Sequence, residues 1–386
     1  MREGWVAATF GEVFNIQQGK TLAVNKLKGG KYPVYGANGV VGYFDEYNFD
    51  FPVTGLGCRG SCGTIYHINE KAFLANNVMA IWEKDPSRIE SQFIPLALTN
   101  VDLVASGAIS GQVQPQITKQ GLEPVPIKIP PLPEQIRIVD LISSVDAYIE
   151  ALQQQLEIAK KSRNALVESQ ILELSESSLA SLKNLSTKIG SGATPRGGEE
   201  VYIENGVNLI RSQNVHDSKF VMRGLVAIED SAAKALENVT VEEGDVLINI
   251  TGASVTRCCV VDSKILPARV NQHVAIIRSN RAKILPKYLV LVLTSNEVKG
   301  FLNDIAGTGS TRQALTKTHL EDLEIPVPKI SEQTKIIQNS DTFDIVILKS
   351  QIALDGAKIL RSGLLSELLS GKHEIPASYD NVMGAA

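Results

Sequence analysis

The sequence predicts an α+β chain in two matched halves, each a domain of mixed sheet and helices followed by one long helix. Three observations carry this. A heptad seam is held for about four repeats; a second copy of it lies 198 residues downstream; and short β-like runs broken by glycine and proline precede each copy. The long helices are expected to pair as an antiparallel coiled coil, giving the chain a pseudo-two-fold internal repeat.

At 386 residues there is room for two or three domains with real cores. The first is assigned to residues 1–132. Its opening, Met1-Arg-Glu-Gly-Trp, has no apolar signal region, and no apolar run reaches membrane length. Strands are expected at Tyr32–Gly36, Val40–Phe44, Gly63–Ile68 and Val78–Trp82, with helix over Ile89–Leu98. Pro-rich Pro124–Pro133 is a stiff exit into the central helix, residues 133–174, which opens with Pro133 in its first turn and Glu134 near the positive end of the dipole. Its seam runs Ile138, Ile142, Val145, Ile149, Leu152, Leu156, Ala159, Arg163, Leu166, which makes a rod of roughly 60 Å. The second domain, residues 175–330, has expected strands at Val246–Thr251, Cys258–Val261 and Val274–Arg278 and leaves through Glu324–Pro328. A second helix, residues 331–372, and a tail, residues 373–386, complete the chain.

The duplication decides between this plan and one long core helix in a globular domain. Shifted by 198, Gly111–Leu166 matches the later copy at 18 of 56 positions, among them Glu134/Glu332, Gln135/Gln333, Ile149/Ile347, Leu156/Leu354 and Arg163/Arg361. Even the charged interruption of the seam repeats. Upstream, Thr118-Lys119-x-x-Leu122-Glu123 recurs as Thr316-Lys317-x-x-Leu320-Glu321. The domains keep fainter traces: Ile16-x-x-Gly19-x-Thr21 against Ile189-x-x-Gly192-x-Thr194, and Asn76-x-x-x-Ala80-Ile81 against Asn271-x-x-x-Ala275-Ile276. The same scaffold with different loops is the pattern of variable binding surfaces. Helix direction follows from reach. The few residues between Leu172 and about Ser178 span at most ~20–25 Å, far short of the rod, so only antiparallel pairing returns the chain to where the second domain begins.

Charge and cysteines narrow the class. The chain is net −4, which argues against a uniformly basic nucleic-acid binder. Residues 133–176 are net −4 and residues 331–386 net −2, while residues 1–132 are net 0 and residues 177–330 net +2; a polyanion would meet the domains. Four cysteines without metal or disulfide spacing point to a reducing compartment and to small buried residues. Gly55-Leu-Gly57-Cys-Arg-Gly60 spells a dinucleotide fingerprint, but strand-like text follows where a helix is required. Gly19-Lys20-Thr21 ends like a P-loop, with Phe14 where the first glycine belongs. His67, His216, His273 and His319 lack metal spacing, and no acidic pair or nucleophile elbow stands out. The chain shows no active site of its own.

Two variable domains alternating with two repeated helices, Pro-x-x-x-Glu-Gln at the start of each helix, and Gly309-Ser-Thr-Arg-Gln-x-Leu-Thr-Lys317 before the second resemble the DNA-specificity subunit of type I restriction–modification enzymes. The resemblance covers Trp5 to Gly371; the copy before the first helix, Gly111–Lys119, is a looser version. It implies two target recognition domains, each reading one half of a split site in double-stranded DNA, with helices that dock two adenine methyltransferase subunits. A motor-nuclease restriction subunit can join. It also implies no catalysis and no cofactor in this chain, S-adenosylmethionine belonging to the methyltransferases, and a cytoplasmic, membrane-free setting.

Polar loop residues of the right type to reach phosphates or base edges are Lys20, Tyr35, Asn38, Arg59 and Gln112 in the first domain. In the second they are Arg196, Arg211, Gln213, Asn214, Arg257, Asn271 and Arg312. The competing expectation is a tandem coiled-coil adaptor joining two proteins without touching DNA, which the near-neutral charge would suit.

Overall fold

The computed structural model describes residues 3–23, 25, 27, 29–111, 115–174, 179–307 and 313–383. The chain forms two compact units, Met1–Gln153 with Ile352–Ala386, and Gln154–Gln351. In the first unit an antiparallel sheet runs in the order Phe14–Gln18, Val78–Glu83, Val53–Gly57, Ile65–Ile68. A three-stranded sheet has Tyr32–Gly36 at its centre, antiparallel to Gly39–Phe44 and parallel to Phe73–Leu74. Val6–Thr9 pairs with Pro126–Ile129 beside the exit to the helix. Helix is found at Phe93–Thr99 and not from Ile89, because the preceding turn is tied to the central helix: the Glu90 N–H donates to Gln135 Oε1 at 2.9 Å.

The second unit repeats these three sheets. Its four-stranded sheet is Ser186–Ser191, Val274–Ser279, Val246–Asn249, Cys258–Val260, and its three-stranded sheet is Val226–Ile228, Val207–Ile210, Ala268–Val270, again antiparallel then parallel. Leu179–Ser181 pairs with Glu324–Pro326. Alternation along the inner strands feeds two cores. Val246, Ile248, Ala275 and Ile277 join the core beneath the helices, while Leu247, Cys259, Val274 and Ile276 fill the other face. The first unit divides Leu56, Met79 and Ile81 from Val53, Val78 and Ala80 in the same way. A period-two strand buried on both faces must be apolar throughout, which is why these runs stand out in the sequence.

Strand pairing corrects one of the faint sequence matches. Gln18 pairs with Met79, and its counterpart Ser191 pairs with Ala275. Met79 is therefore equivalent to Ala275, and Ala75, not Asn76, to Asn271. Matching letters had suggested a register one residue out, a slip that would move every side chain to the opposite face. The dinucleotide fingerprint is also accounted for. Gly60 leads to strand Ile65–Ile68 and not to a helix, and Gly55 lies under the Tyr66 ring, where a Cβ would fall 2.3 Å from Cε2.

The long helices span Leu132–Glu173 and Ile330–Ser370. The repeated threonines ahead of them are N-caps of short helices, Thr118 Oγ1 accepting from Gly121 N and Thr316 Oγ1 from His319 N, both at 3.1 Å. The repeated glutamines are fully buried. Gln135 donates to the carbonyls of Arg88 and Pro130, both at 2.8 Å, and Gln333 to those of Lys283 and Pro328, both at 2.9 Å. Along the central helix Ile138, Ile142, Ile149, Leu152, Leu156 and Ala159 are buried, as the heptads require. Towards its end burial moves from Leu166, half-buried, to Val167 and Ile171, which enter the second unit's core; a helix of 3.6 residues per turn drifts off a seven-residue seam.

The charged interruptions of the seam are paired. In the first unit Arg361 grips Asp146, with Nη2–Oδ2 at 2.7 Å, and in the second Arg163 grips Asp344, with Nε–Oδ1 at 2.6 Å. Each joins an early turn of one helix to a late turn of the other, so the helices run antiparallel, and the 198-residue shift converts one pair into the other. Hydrogen bonding to Asp146 pushes the Arg361 guanidinium further up from its ordinary pKa. Asp146→Arg should set two arginines face to face at this position. Because the Asp146 side chain is 45% exposed, solvent screens the pair, and the expected loss is about 1–3 kcal/mol. Arg361→Asp in the same molecule should restore most of it; a double variant melting no higher than the single one would show that the pair does not set the register.

The tail returns to the central helix. Ile375 is buried in the first unit's core, Arg137 binds Asp380 through two bonds of 2.6 and 2.7 Å, and the Tyr379 hydroxyl donates to Asp140 at 2.7 Å. Among the described residues no helix is long and apolar enough to cross a membrane. Among them, too, no group of three or more His, Cys, Asp or Glu is placed to hold a metal ion.

Candidate nucleic-acid interface

Each domain carries one loop built on the same backbone frame, between the inner strand and the last strand of its four-stranded sheet. In the first domain Gly57 N donates to Thr64 O and Gly63 N to Gly57 O; in the second Asn249 N donates to Arg257 O and Thr256 N to Asn249 O, at 2.8–2.9 Å. The turn is made by Gly60 at φ +78° and by Gly252 at φ +75°, the left-handed region that glycine enters without strain. The segment preceding each long helix lies along this loop. Ile117 N donates to Cys58 O, and Leu315 N, 198 residues on, donates to Ile250 O. Arg59 bridges Gln116 as Thr251 bridges Ala314.

In the second domain the loop walls a shallow recess of about 400 Å³ lined by Ser212, Thr251, Gly252, Ala253, Ser254, Arg257 and His273. The lining carries hydroxyls, a guanidinium and an imidazole, and no carboxylate. Buried Asn249 ties its walls together, donating from Nδ2 to Ser212 O at 2.9 Å and to Ser254 Oγ at 3.2 Å. His273 is held at both ring nitrogens, by Thr251 Oγ1 at 2.5 Å and Gln272 Nε2 at 2.9 Å. Such a surface offers donors to phosphate oxygens and to acceptors on base edges.

The structure distributes the residues singled out by sequence unevenly. Arg257 is in the recess, half-buried, with no carboxylate partner among the described residues. Asn271 is buried beneath it, Oδ1 accepting from His273 N at 3.1 Å, and so acts on the recess through the turn. Arg211, Gln213 and Asn214 form a separate lock: Arg211 Nη2 and Gln213 Nε2 both donate to Gly224 O, at 2.8 and 3.0 Å, and fully buried Asn214 donates to Val221 O at 2.9 Å. Arg211 also lies over the Tyr202 ring at 5.2 Å. Arg196 is exposed in another groove, of about 840 Å³, whose lining includes Glu200 and Glu229, an unfavourable setting for a polyanion.

In the first domain Arg59 and Asn38 are exposed at the loop, where Thr64 Oγ1 donates to Asn38 Oδ1 at 3.4 Å. Lys20 is exposed, its backbone fixed to Leu74 O. Tyr35 stacks on Tyr66 at 5.4 Å between centroids and donates to Glu70 Oε1 at 3.2 Å; burial first, then Glu70, pushes its phenol up from the usual pKa. Its hydroxyl is occupied within the domain. Gln112 and Arg312 lie outside the described residues. Ser212, Thr251 and Ser254 carry no mark in the sequence, and His273 stands out there only as a histidine without metal spacing; the one local signal for their loop is a glycine at matched depth in both copies.

Similarity to known proteins identifies the family of the whole chain. The sequence model of the type I restriction modification DNA specificity domain matches residues 2–160 and again 181–353. The MjaVIII specificity subunit of Methanocaldococcus jannaschii is 21% identical over 332 residues, covering 81% of this chain and 76% of that protein. The EcoBI specificity subunit of Escherichia coli is 24% identical over 317 residues, covering 73% and 65%. The chain spans less than half, 44%, of a further M. jannaschii relative, to which it is 23% identical over 191 residues. The fold is similar to the crystal structure of a type I restriction-modification S subunit from M. genitalium, with TM-score 0.57 and 16% identity over 95% of this chain and 96% of that one. It is also similar to a chain solved in a study of assembly and conformational transition of the type I R-M system, with TM-score 0.65 and 17% identity over 96% and 98%. With two matches of the domain spanning most of its length, the chain belongs to the type I restriction modification DNA specificity family.

Proposed function

We propose that this chain is the non-catalytic DNA-reading subunit of a type I restriction–modification complex, each domain reading one half of a bipartite site. The observation that carries this is the duplicated loop frame, one copy per domain, with different polar residues mounted on it. A shared frame with changed side chains is what two independent half-sites require, and pseudo-two-fold repetition suits a duplex. In the first domain Lys20, Asn38 and Arg59 would meet the DNA; in the second, Arg257 with the hydroxyls of Ser212 and Ser254, beside a His273 ring held in place by Thr251 and Gln272.

The helices would receive two methyltransferase subunits. Supporting this, the C-terminal helix turns apolar residues outward at heptad-like spacing: Ile345 and Leu348, 55% and 60% exposed, then Ile352 and Ile359, 63% and 75% exposed. Exposed apolar stripes on a helix mark a protein partner. The methyltransferases would supply S-adenosylmethionine and the chemistry, a motor-nuclease subunit can join them, and the complex would work on cytoplasmic DNA.

Exchange of one domain tests the reading. Replacing Trp5–Ile129 by the corresponding segment of a relative should change one half of the methylated site and leave the other intact, as read by sequencing adenine methylation in cells. Coordinate change of both halves would exclude independent reading.

A further inference from the structure

Thr256 is fully buried and adopts φ +72°. A β-branched residue there is a conformational outlier, since its Cβ substituents crowd the backbone. The equivalent position in the first domain, immediately before the residue that closes the loop, is Gly63 at φ +89°. The two domains thus impose the same backbone demand, and only one meets it with the residue that can do so freely.

Two features explain how threonine is held and what it does. The loop in the second domain is one residue longer, Ile250 to Thr256 against Cys58 to Gly63, so its closure leaves more freedom to be removed. Thr256 removes it with a side-chain tether that glycine lacks: Oγ1 donates to Asn303 Oδ1 at 3.3 Å, on helix Asn296–Gly307, whose Leu302 and Ala306 are buried in the domain core. The next residue is Arg257. Its N–H donates to Ser254 O at 3.3 Å, and its carbonyl accepts from Asn249 N at 2.8 Å.

We propose that Thr256 is a positioning residue for DNA reading: strained in place and tethered to Asn303, it holds Arg257 in the recess in its binding direction. The proposal rests on the reading of this loop as DNA-contacting. Held this way, the guanidinium loses little freedom on binding, the general benefit of preorganisation. Thr256→Gly removes both strain and tether.

The test uses the complex with its methyltransferase subunits and a duplex carrying the site identified by methylation sequencing, with random duplex as control. Thr256→Gly should melt no lower than the unmodified protein, yet bind its site about tenfold more weakly, the scale of one lost specific contact. Base preference should relax only in the half-site assigned to the second domain. Asn303→Ala should weaken binding in the same sense. In an Arg257→Ala background, Thr256→Gly should add little, because the two act through one contact. If Arg257→Ala weakens binding and Thr256→Gly does not, the positioning role is overturned and the reading of the loop stands. Equal further weakening by Thr256→Gly in the Arg257→Ala background also overturns it, showing general loosening. If Arg257→Ala itself has no effect, the assignment of this loop to DNA fails, and the proposal fails with it.

Discussion

Gly192→Ala is expected to prevent the second domain from folding. A Cβ on Gly192 would stand 1.7 Å from Val270 O, 2.4 Å from its carbonyl carbon and 2.7 Å from Asn271 O. All three are backbone atoms at the end of a paired strand, so no side chain can rotate aside. Ordinary overpacking costs about 1–3 kcal/mol; with the backbone itself displaced, the loss should be about 4 kcal/mol or more. Urea denaturation should show a domain unfolded or melting at much lower denaturant. The internal control is Gly190, two residues earlier in the strand Ser186–Ser191 that Gly192 follows, where an added Cβ meets nothing within 4 Å; Gly190→Ala should leave the midpoint unchanged or slightly raised. The first domain repeats the constraint, since a Cβ on Gly19 would lie 2.2 Å from Ala75 O and 2.4 Å from Leu74 O. An alanine tolerated at Gly192 would mean that the strand end is free to move, and with it the floor of the recess at Asn271 and His273.

Gln333→Leu is the second large effect. The leucine is close in size and would fill the space, but it leaves the Leu285 N–H and the Lys283 and Pro328 carbonyls without the bonds that Gln333 supplies at 2.8, 2.9 and 2.9 Å. Each unpaired buried group costs about 1–3 kcal/mol, and the three are not fully sealed from water, so a total of about 3–5 kcal/mol is expected. Gln333→Glu separates hydrogen bonding from packing. It keeps the acceptor for Leu285 N but loses both donors and buries a charge, so it should be at least as damaging as leucine. Gln135→Leu should act alike in the first unit, where Glu90 N, Arg88 O and Pro130 O depend on the same side chain. Thermal unfolding of the three variants decides it. A leucine variant as stable as the original would show that these bonds are replaced by solvent.

These two effects were legible in the sequence to different degrees. Gly192 and Gln333 are each visible as repeats, Gly19/Gly192 and Gln135/Gln333, but a repeat says only that a position matters. The glycines face strand ends 55 and 78 residues away in sequence, Leu74 and Val270, and the glutamines bind loops about 45–50 residues upstream. The repeated arginine interrupts the seam, and its partner aspartate, equally repeated, lies on the other helix, 181 residues from Arg163 and 215 from Arg361. Helix pairing was needed to bring them together.

The plan of the chain, two α+β domains each followed by a long helix, was readable from residue order because its signals are local. A heptad seam expresses one helix's own periodicity, strands buried on both faces declare themselves as apolar runs, and a duplication is a comparison of letters. The antiparallel sense followed from chain length alone. The candidate recess was not readable in that way. Its lining comes from residues 212, 251–254, 257 and 273, joined by sheet pairing and by the bonds of a buried Asn249. No local pattern marks which polar side chains such pairing turns outward. Arg211 carries the same guanidinium as Arg257, and Asn214 is a base-reading type of residue, but the lock at Gly224 and Val221 occupies both, whereas Arg257 lies in the recess with no carboxylate partner among the described residues. Residue type is written in the sequence, but the partner that occupies or frees each polar group is a product of tertiary contact.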